Sequence, residues 1–479
     1  MKFYLFRYNI IRYITELYIL VKFYGWLLSA CKSEYKPKNT QNMKYPKASL
    51  MLLLSVLFLT NCGKKAAIND AEILHANEEE LTKVIIYDVF TPPVASRIYG
   101  YANLASYEAM RYADPKYNSL ITQIKGFDKP PVPEKGKTYN FTLAATKAFF
   151  TVAHKITFSV DTLQEYEDKI YPVFKQTMDD STYARSMAFG EKIGKLIIKR
   201  AMVDNYPQTR GKPKYLGNNG HAMWRPTPPD YFDGVEYCWG TMEPFVITSS
   251  RQFPLPAPPA YSVDTNSVYV KQVQQVYRLN KSLTSEQKVI ARFWDDNPFV
   301  VQHSGHMMFA DKKITPGGHW IGITSIACKQ THANAVKVAQ AYALTSIALF
   351  DSFIGSWEAK YEYSYIRPVS QINETVDREW LPLLQTPPFP EYPAGHADIS
   401  AASATVLTYL FGDNFKFQDT TEMRYIGLQR HFDSFNKAAD ETAISRNYGG
   451  IHFLNSVQKG SFQGHEIGEF IIQKLRLKN

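Results

Sequence analysis

The feature that most constrains the fold is a long apolar stretch without proline, from about Asn334 to Lys360. It is rich in Ala, Val and Leu and predicts one long, mostly buried helix. Its most apolar part, Val338 to Phe350, contains Gln340. That part is too short to cross a bilayer, for which about 20 apolar residues are needed. The stretch therefore predicts the core of a soluble body rather than a membrane span.

Other segments also show helical spacing, whereas runs of alternating polar and apolar residues are few. Hydrophobic residues make up 45% of the 479 residues, which excludes wholesale disorder. The predicted helices are 185–200 with Ser181 as N-cap, a helix that starts at a Thr284–Gln287 capping box and ends before Pro298, Ala397–Gly412, and His452 towards Leu477. The predicted fold class is therefore mainly α.

The amino-acid composition changes between Asp204 and Tyr261, where ten of the 27 prolines occur together with many aromatic residues. A loop this long within a domain is uncommon and is usually functional. We interpret the segment as an ordered, aromatic-lined insertion that covers part of the protein. A plain surface insertion is the alternative.

The formal net charge of +9 is confined to the N-terminal part of the chain. Residues 1–65 carry eleven Lys or Arg and two Glu, so the rest of the chain sums to zero. A body without excess charge does not attract polyanions, so we expect no nucleic-acid partner.

The basic residues of this region precede an apolar segment, as in a bacterial export signal. Residues 43–47 are cationic, and Ala48 to Leu59 form an apolar run of twelve. Cys62 follows and resembles the lipidated cysteine of a lipoprotein. We therefore expect a signal over 43–61, a mature chain that begins at Cys62, and a periplasmic or cell-envelope lipoprotein that contacts a membrane through its lipid only. Cleavage without a lipid, or a retained N-terminal anchor, is the alternative. Residues 1–42 are a leader of doubtful meaning, with Met43 as the alternative start.

Two groups of reactive residues lie outside any recognisable motif. Cys238 and Cys328 are the cysteines of the body, and the sequence leaves open whether they form a disulfide. His303, His306 and His319 suggest a metal site, but no carboxylate or thiol accompanies them at convincing spacing. Polar packing or pocket lining is the favoured interpretation.

Three short motifs follow one another in the last 120 residues. Lys360 and Arg367-Pro368 lie seven positions apart where the long helix ends. Pro393-Ala394-Gly395-His396 directly precedes a predicted helix, whose free N–H groups favour an anion. Arg446 and His452 are six residues apart across a Gly-Gly turn. Together the motifs predict a cradle for an oxyanion.

Charge matching supports this prediction. Phosphate or vanadate carries two or three negative charges, and Lys360, Arg367 and Arg446 supply three positive ones. Arg suits bidentate contact with such oxygens and Lys a point contact. One histidine can bond to the central atom while the other moves a proton, because imidazole titrates near neutral pH.

The three motifs are similar to the signature of the vanadium-dependent haloperoxidase and type 2 phosphatidic acid phosphatase superfamily, Lys-x6-Arg-Pro, Pro-Ser-Gly-His and Ser-Arg-x5-His. The resemblance implies a helical-bundle fold in a single catalytic domain over 62–479, with the motifs in a core of about 282–479. It implies that His452 bonds to vanadium, or is the phosphorylated nucleophile of a phosphatase, and that His396 is the acid/base. The equatorial oxygens would be held by Lys360, Arg367, Arg446 and the Gly395 N–H.

One position departs from the family pattern, and others favour its haloperoxidase branch. Ala394 replaces the usual Ser, which removes a hydrogen bond to the anion. Either a water replaces this bond, or anion binding is weaker by about 1 to 3 kcal/mol. Trp357 and Phe389 resemble aromatic residues beside the vanadate of haloperoxidases, with core packing as the alternative. Asp296 resembles the acid that orients the Arg of the third motif, with a solvated helix end as the alternative.

The leading hypothesis is an enzyme that oxidises a halide with hydrogen peroxide at a His-bound vanadate and halogenates a small organic acceptor. An exported acid phosphatase, with phosphate in the same pocket, is the first alternative. An anion-binding lipoprotein with little catalysis is the second, and Ala394 keeps it open. The sequence leaves the halide and the oligomeric state undetermined.

Overall fold

Helices account for most of the chain in this computed structural model, as the helical spacing predicts. The structure describes residues 69–298, 300–304, 307–310 and 312–478, with 301–304 and 307–310 described by their backbone alone. The α-helices are α1 (Asp70–Tyr87), α2 (Pro92–Met110), α3 (Phe141–Ile156), α4 (Val160–Lys175), α5 (Asp180–Ala201), α6 (Tyr206–Arg210), α7 (Val268–Lys281), α8 (Ser285–Phe293), α9 (Pro316–Gln330), α10 (Ala335–Tyr363), α11 (Pro368–Thr375), α12 (Gly395–Phe411), α13 (Met423–Ile426), α14 (Phe435–Tyr448) and α15 (Leu454–Lys474).

The central element is α10, which the apolar stretch predicted. It packs against α2, which precedes it in the chain, and against α12, which follows it. Helices α2, α3 and α5 pack on one another, as do α12, α14 and α15. By length and composition α10 could cross a membrane, but its apolar window is completely buried inside the protein. Helix α10 is therefore the shared core of two groups of helices.

Strands are few and short in the part of the chain that the structure describes. Strands β1 (Val301–Ser304) and β2 (Met307–Ala310) pair antiparallel, with Val301 opposite Ala310. Strands β3 (Phe417–Asp419) and β4 (Arg430–Phe432) form a second antiparallel pair, with Phe417 opposite Phe432. Strand β3 ends at Asp419, which lies buried beside the site described below.

The helix starts follow capping chemistry, with one correction. Helix α8 begins with the predicted capping box, in which Thr284 and Gln287 satisfy each other's backbone N–H groups. The N-cap of α5 is Asp179 instead of the predicted Ser181. Asp179 accepts from the Thr182 backbone N–H at 2.9 Å and from the Ser181 hydroxyl at 2.6 Å. Ser181 thus falls inside the first turn, because the carboxylate two residues earlier already caps the helix.

The segment between residues 204 and 261 is ordered and packs on α10. Its Trp224 and Trp239 side chains are fully buried. Asp351 of α10 accepts hydrogen bonds from the backbone N–H groups of Phe245, Val246 and Ile247, at 2.7 to 2.9 Å. These contacts agree with a covering segment rather than a plain surface insertion.

The structure tests the expectation for the two cysteines but not the one for the export signal. Cys238 and Cys328 are free thiols, with Cys328 buried, so the pair that the sequence left open is not a disulfide. The expected export signal and Cys62 lie outside the described residues, and the predicted domain limits stay predictions.

Candidate active site

Five elements bring the residues of the three motifs together. Lys360 lies in the last turn of α10, and Arg367 directly precedes α11. Gly395 and His396 open α12, Arg446 lies in the last turn of α14, and His452 lies just before α15. Lys360, Arg367, Arg446 and His452 are buried, and His396 is partly exposed with a buried Nε2.

His452 lies between the carboxylate of Glu391 and the guanidinium of Arg367. Its Nδ1 lies 2.9 Å from Glu391 Oε1, and its Nε2 lies 3.1 Å from Arg367 Nη1. Because a guanidinium only donates, Nε2 accepts this bond, so Nδ1 carries the proton and donates it to Glu391. Burial, with Arg367 and Lys360 nearby, holds the pKa of His452 well below its usual value. The ring is therefore neutral, with its lone pair at Nε2.

Glu391 is a site residue that the sequence analysis missed. Besides His452 it accepts from the Phe453 backbone N–H at 2.9 Å and from the Ser456 hydroxyl at 2.6 Å. Burial raises its pKa to about 7. The available signal was an acidic residue between two prolines in an otherwise apolar stretch, Pro390-Glu391-Tyr392-Pro393.

The two arginines are fixed by backbone carbonyls and keep free donors. Arg367 donates from Nε to the Phe389 carbonyl and from Nη1 to the Ile451 carbonyl, both at 2.8 Å. Arg446 donates from Nη1 to the Trp294 carbonyl. Within the described chain, Arg367 Nη2, Arg446 Nε, Arg446 Nη2 and His396 Nε2 are buried without a hydrogen-bond partner. Buried polar atoms are rarely left unpaired, so these four mark a place for a polar guest.

Positive charge accumulates here against the cost of burial. Burial lowers the pKa of Arg367 to about 9 and lowers that of Arg446. The pKa of His396 is well below its usual value because of burial and the nearby Arg446. A bound anion would relieve this repulsion and favour the charged forms.

Lys360 has a different place from the one the motif predicts. Its ammonium donates to three backbone carbonyls, those of Pro390 at 3.0 Å, Glu391 at 3.2 Å and Pro393. An ammonium has three donors, so none remains for an oxyanion in this arrangement. Lys360 therefore supplies charge beside the cavity and braces the segment that carries Glu391.

A small cavity is lined by Gly395, His396, Arg446 and His452 on one side and by apolar residues on the other, while Lys360 and Arg367 are not among its lining residues. Trp357 and Phe389 both line it, with ring centroids 5.0 Å apart, and both also pack in the hydrophobic core. Pro92 and Pro316, which no motif indicated, line it from α2 and α9. A Cβ at position 395 would lie 3.2 Å from the Trp357 ring, so glycine allows the close approach of α12.

Asp296 does not make the contact predicted for it. Arg446 lies in its electrostatic range, but the Asp296 carboxylate pairs with His319, whose Nδ1 is 3.1 Å from both its oxygens. The Trp294 carbonyl contacts Arg446 instead. His319 also meets Asp419, at 2.9 Å from Nε2, and Glu422, at 3.9 Å from Nδ1. The expectation that no carboxylate accompanies His319 is thus corrected, because the acids come from distant segments. The side chain of His303 and the whole of His306 lie outside what is described.

Sequence comparison finds a family model for the C-terminal part of the chain and two curated relatives. A family model described as the VCPO second helical-bundle domain matches residues 340–478. Vanadium chloroperoxidase of Curvularia inaequalis is 25% identical over 174 residues, which is 26% of this chain and 29% of the relative. Vanadium-dependent bromoperoxidase of Corallina officinalis is 26% identical over 102 residues, 19% of this chain and 17% of the relative. The chain thus matches less than a third of either curated relative.

Structural comparison extends the similarity over most of the chain. The crystal structure of a bacterial vanadium-dependent iodoperoxidase superposes with a TM-score of 0.80 and 41% identity, covering 85% of this chain and 97% of the other. A bacterial vanadium-dependent chloroperoxidase in its holo form superposes with a TM-score of 0.63 at 18% identity, covering 81% and 93%. The second similarity concerns the fold alone.

Proposed function

Because this chain belongs to the vanadium-dependent haloperoxidase family, we propose that it binds vanadate at His452 and oxidises a halide with hydrogen peroxide. The observation that carries this proposal is a set of buried, unpartnered polar atoms around His452: the donors Arg367 Nη2, Arg446 Nε and Arg446 Nη2, and the lone-pair nitrogen His396 Nε2. Arg446, His396 and His452 line one small cavity, and Arg367 contacts His452 through its Nη1. Donors without acceptors fit an oxyanion and would be costly to leave unpaired.

The residues present fit vanadate in charge and in donor chemistry. His452 is neutral with its lone pair at Nε2, which would bond to vanadium in place of the contact with Arg367 Nη1. Glu391 fixes its tautomer, as carboxylates commonly do for metal-bound histidines. Arg367 and Arg446 would hold the oxygens, with Lys360 adding charge at the rim. When bound, vanadate supplies a Lewis acid that activates hydrogen peroxide without a change in its own oxidation state.

His396 is the group suited to proton transfer. Its Nε2 has no partner among the described residues and lies at the cavity, while its ring is hydrogen-bonded to the Asp295 backbone. The lowered pKa keeps the ring neutral, so it can accept a proton from peroxide and return it to a leaving oxygen.

We propose iodide as the preferred halide. The iodoperoxidase, 41% identical over nearly its whole length, supports this choice. The cavity wall of Trp357, Phe389 and Phe353 supports it as well. Moving an anion from water to an apolar wall costs least for the largest, most weakly hydrated halide.

One assay separates this proposal from its alternatives. The purified protein is incubated with vanadate, hydrogen peroxide and iodide or bromide, and separately with a phosphomonoester without vanadate. We expect peroxide-dependent iodide oxidation that is faster than bromide oxidation. Phosphomonoester hydrolysis blocked by vanadate, without halide oxidation, would replace the proposal with an acid phosphatase. Absence of both activities would favour an anion-binding protein.

Variants of two histidines test the site. His452→Ala should abolish halide oxidation, because it removes the bond to vanadium. His431→Ala, at an exposed histidine of β4, is the matched control and should retain activity. Full activity in His452→Ala would contradict the site assignment.

We also propose that the protein is exported and anchored to a membrane through Cys62. The support is the cationic start, apolar run and cysteine of residues 43–62. Cells that express the protein with labelled palmitate should yield a labelled product, and Cys62→Ser should lose the label. An unlabelled wild-type protein would contradict the anchor.

A further inference from the structure

A buried group of charged residues lies directly behind the active-site arginine. His319 of α9 is completely buried, and carboxylates contact both of its ring nitrogens. Asp296 lies 3.1 Å from Nδ1, and Asp419 at the end of β3 lies 2.9 Å from Nε2. A neutral imidazole has one donor, so two carboxylate acceptors require the protonated ring.

Further contacts agree with an imidazolium. The Trp294 ring stacks on His319 with centroids 4.4 Å apart and an angle of 24° between the planes. Such a face attracts a cation. The two nearby carboxylates raise the pKa of His319 well above its usual value, against the effect of burial. Burial and Asp296 raise the pKa of Glu422 to about 8, which keeps the group from accumulating more negative charge.

The acid and the ring that hold His319 belong to the turn that follows α8, Trp294 to Asp296. The same turn makes backbone contacts with two active-site residues. The Trp294 carbonyl accepts from Arg446 Nη1, and the Asp295 backbone is hydrogen-bonded to the His396 ring. The contact of Arg446 uses one of its donors and leaves Nε and Nη2 free for an anion, whereas the contact of His396 uses its N–H and leaves the Nε2 lone pair free.

The backbone of the turn needs such support. Asp296 has a φ of 42°, in the left-handed region that non-glycine residues rarely adopt. Strain of this kind persists where the surroundings over-determine the conformation. The paired contact of Asp296 with His319 and the stacking of Trp294 on the same ring supply that restraint.

We infer that His319 is a positioning residue of the oxyanion pocket: as an imidazolium between Asp296 and Asp419, it holds the turn Trp294–Asp296, which in turn aims Arg446 and His396 at the anion. This inference rests on the proposed vanadate site. It adds a second layer to that site, made of α9 and β3, which the three motifs do not contain.

The test measures vanadate binding by the purified protein. Equilibrium dialysis gives the affinity, and ⁵¹V NMR reports on the bound ion. His319→Gln keeps one donor but loses the charge, and we expect it to weaken vanadate binding by about 10-fold or more. Asp419→Asn is the milder variant and should weaken binding by a smaller factor, with a changed ⁵¹V signal. His431→Gln, at an exposed histidine, is the control and should bind as the wild type does.

Three results would overturn the inference. If His319→Gln and Asp419→Asn lower the melting temperature but leave vanadate affinity and the ⁵¹V signal unchanged, His319 is merely structural and the inference is overturned. If the wild type binds no vanadate, the proposed function fails and this inference fails with it. If metal analysis finds a stoichiometric divalent cation that His319→Gln loses, the group is a metal site of Asp296, His319 and Glu422, and the imidazolium is overturned.

Discussion

His452 obtains its protonation state from Glu391, a residue outside the three motifs. The carboxylate accepts from Nδ1 and thereby leaves the Nε2 lone pair directed at Arg367 and the cavity. Two more donors, the Phe453 N–H and the Ser456 hydroxyl, hold the same carboxylate in place. A motif that specifies only the histidine therefore leaves out the residue that fixes its tautomer.

Replacing Glu391 with Gln tests this dependence. The amide retains one acceptor but loses the charge, so we expect vanadate affinity to fall by about 10- to 100-fold. Equilibrium dialysis at pH 7 measures the change. Glu379→Gln, at an exposed glutamate nearby, is the control. Equal affinity in the two variants would show that Glu391 does not orient His452.

A substitution at position 394 should have the opposite effect and raise vanadate affinity. Ala394 is the N-cap of α12, is buried and provides no capping side chain. Ala394→Ser adds a hydroxyl that can donate to a bound oxyanion, and we expect tighter vanadate binding by about 10-fold, which corresponds to roughly 1.4 kcal/mol. The same dialysis measures it. If the variant only raises thermal stability, the hydroxyl caps the helix instead of contacting the anion.

Among the elements, α10 connects the covering segment to the active site. Its Asp351 receives three backbone N–H groups of residues 245–247, and its Trp357 donates to the Val235 carbonyl at 3.2 Å. Tyr361 donates to the same carbonyl at 2.6 Å. The segment rich in proline thus gains its order from side chains of the helix, because it has little regular structure of its own.

The Asp351→Asn variant measures how strongly this attachment contributes. An amide presents one acceptor oxygen and an NH₂ group to the three N–H donors, so at least one buried donor loses its partner. We expect the free energy of unfolding to fall by about 2 to 3 kcal/mol in urea at pH 7. Asp433→Asn, at an exposed side chain, should change it by less than about 0.5 kcal/mol. Equal effects in both variants would contradict the role of Asp351.

For the whole molecule, buried ionisable groups set the dependence of stability on pH. Glu78 of α1 accepts from Asn103 at 3.1 Å, while its other oxygen has no hydrogen-bond partner within the described chain. Burial raises its pKa to about 8. Between its ordinary value and about pH 8 the folded state binds more protons than the unfolded state. Stability therefore falls as the pH rises through this window.

Glu78→Gln removes the titration while keeping the shape. We expect the variant to gain stability relative to the wild type as the pH rises from 5 to 8, by on the order of 3 kcal/mol at pH 8. Urea unfolding at several pH values measures the difference. Glu72→Gln, at an exposed position of the same helix, is the control. A difference that does not vary with pH would show that Glu78 is ionised in the folded protein.

Hydrophobic periodicity, capping residues and the three ordered motifs are local patterns, and they suffice to predict the helical class, the buried α10 and the family. The sequence also placed the motif residues at helix ends, where the structure brings Arg367, His396, Arg446 and His452 together. Which carboxylate contacts which histidine, in contrast, depends on tertiary packing. Glu391, Asp419 and Asp296 lie 61, 100 and 23 residues from the histidines they contact. Such pairings depend on how the helices and β3 pack, and no spacing along the chain records them.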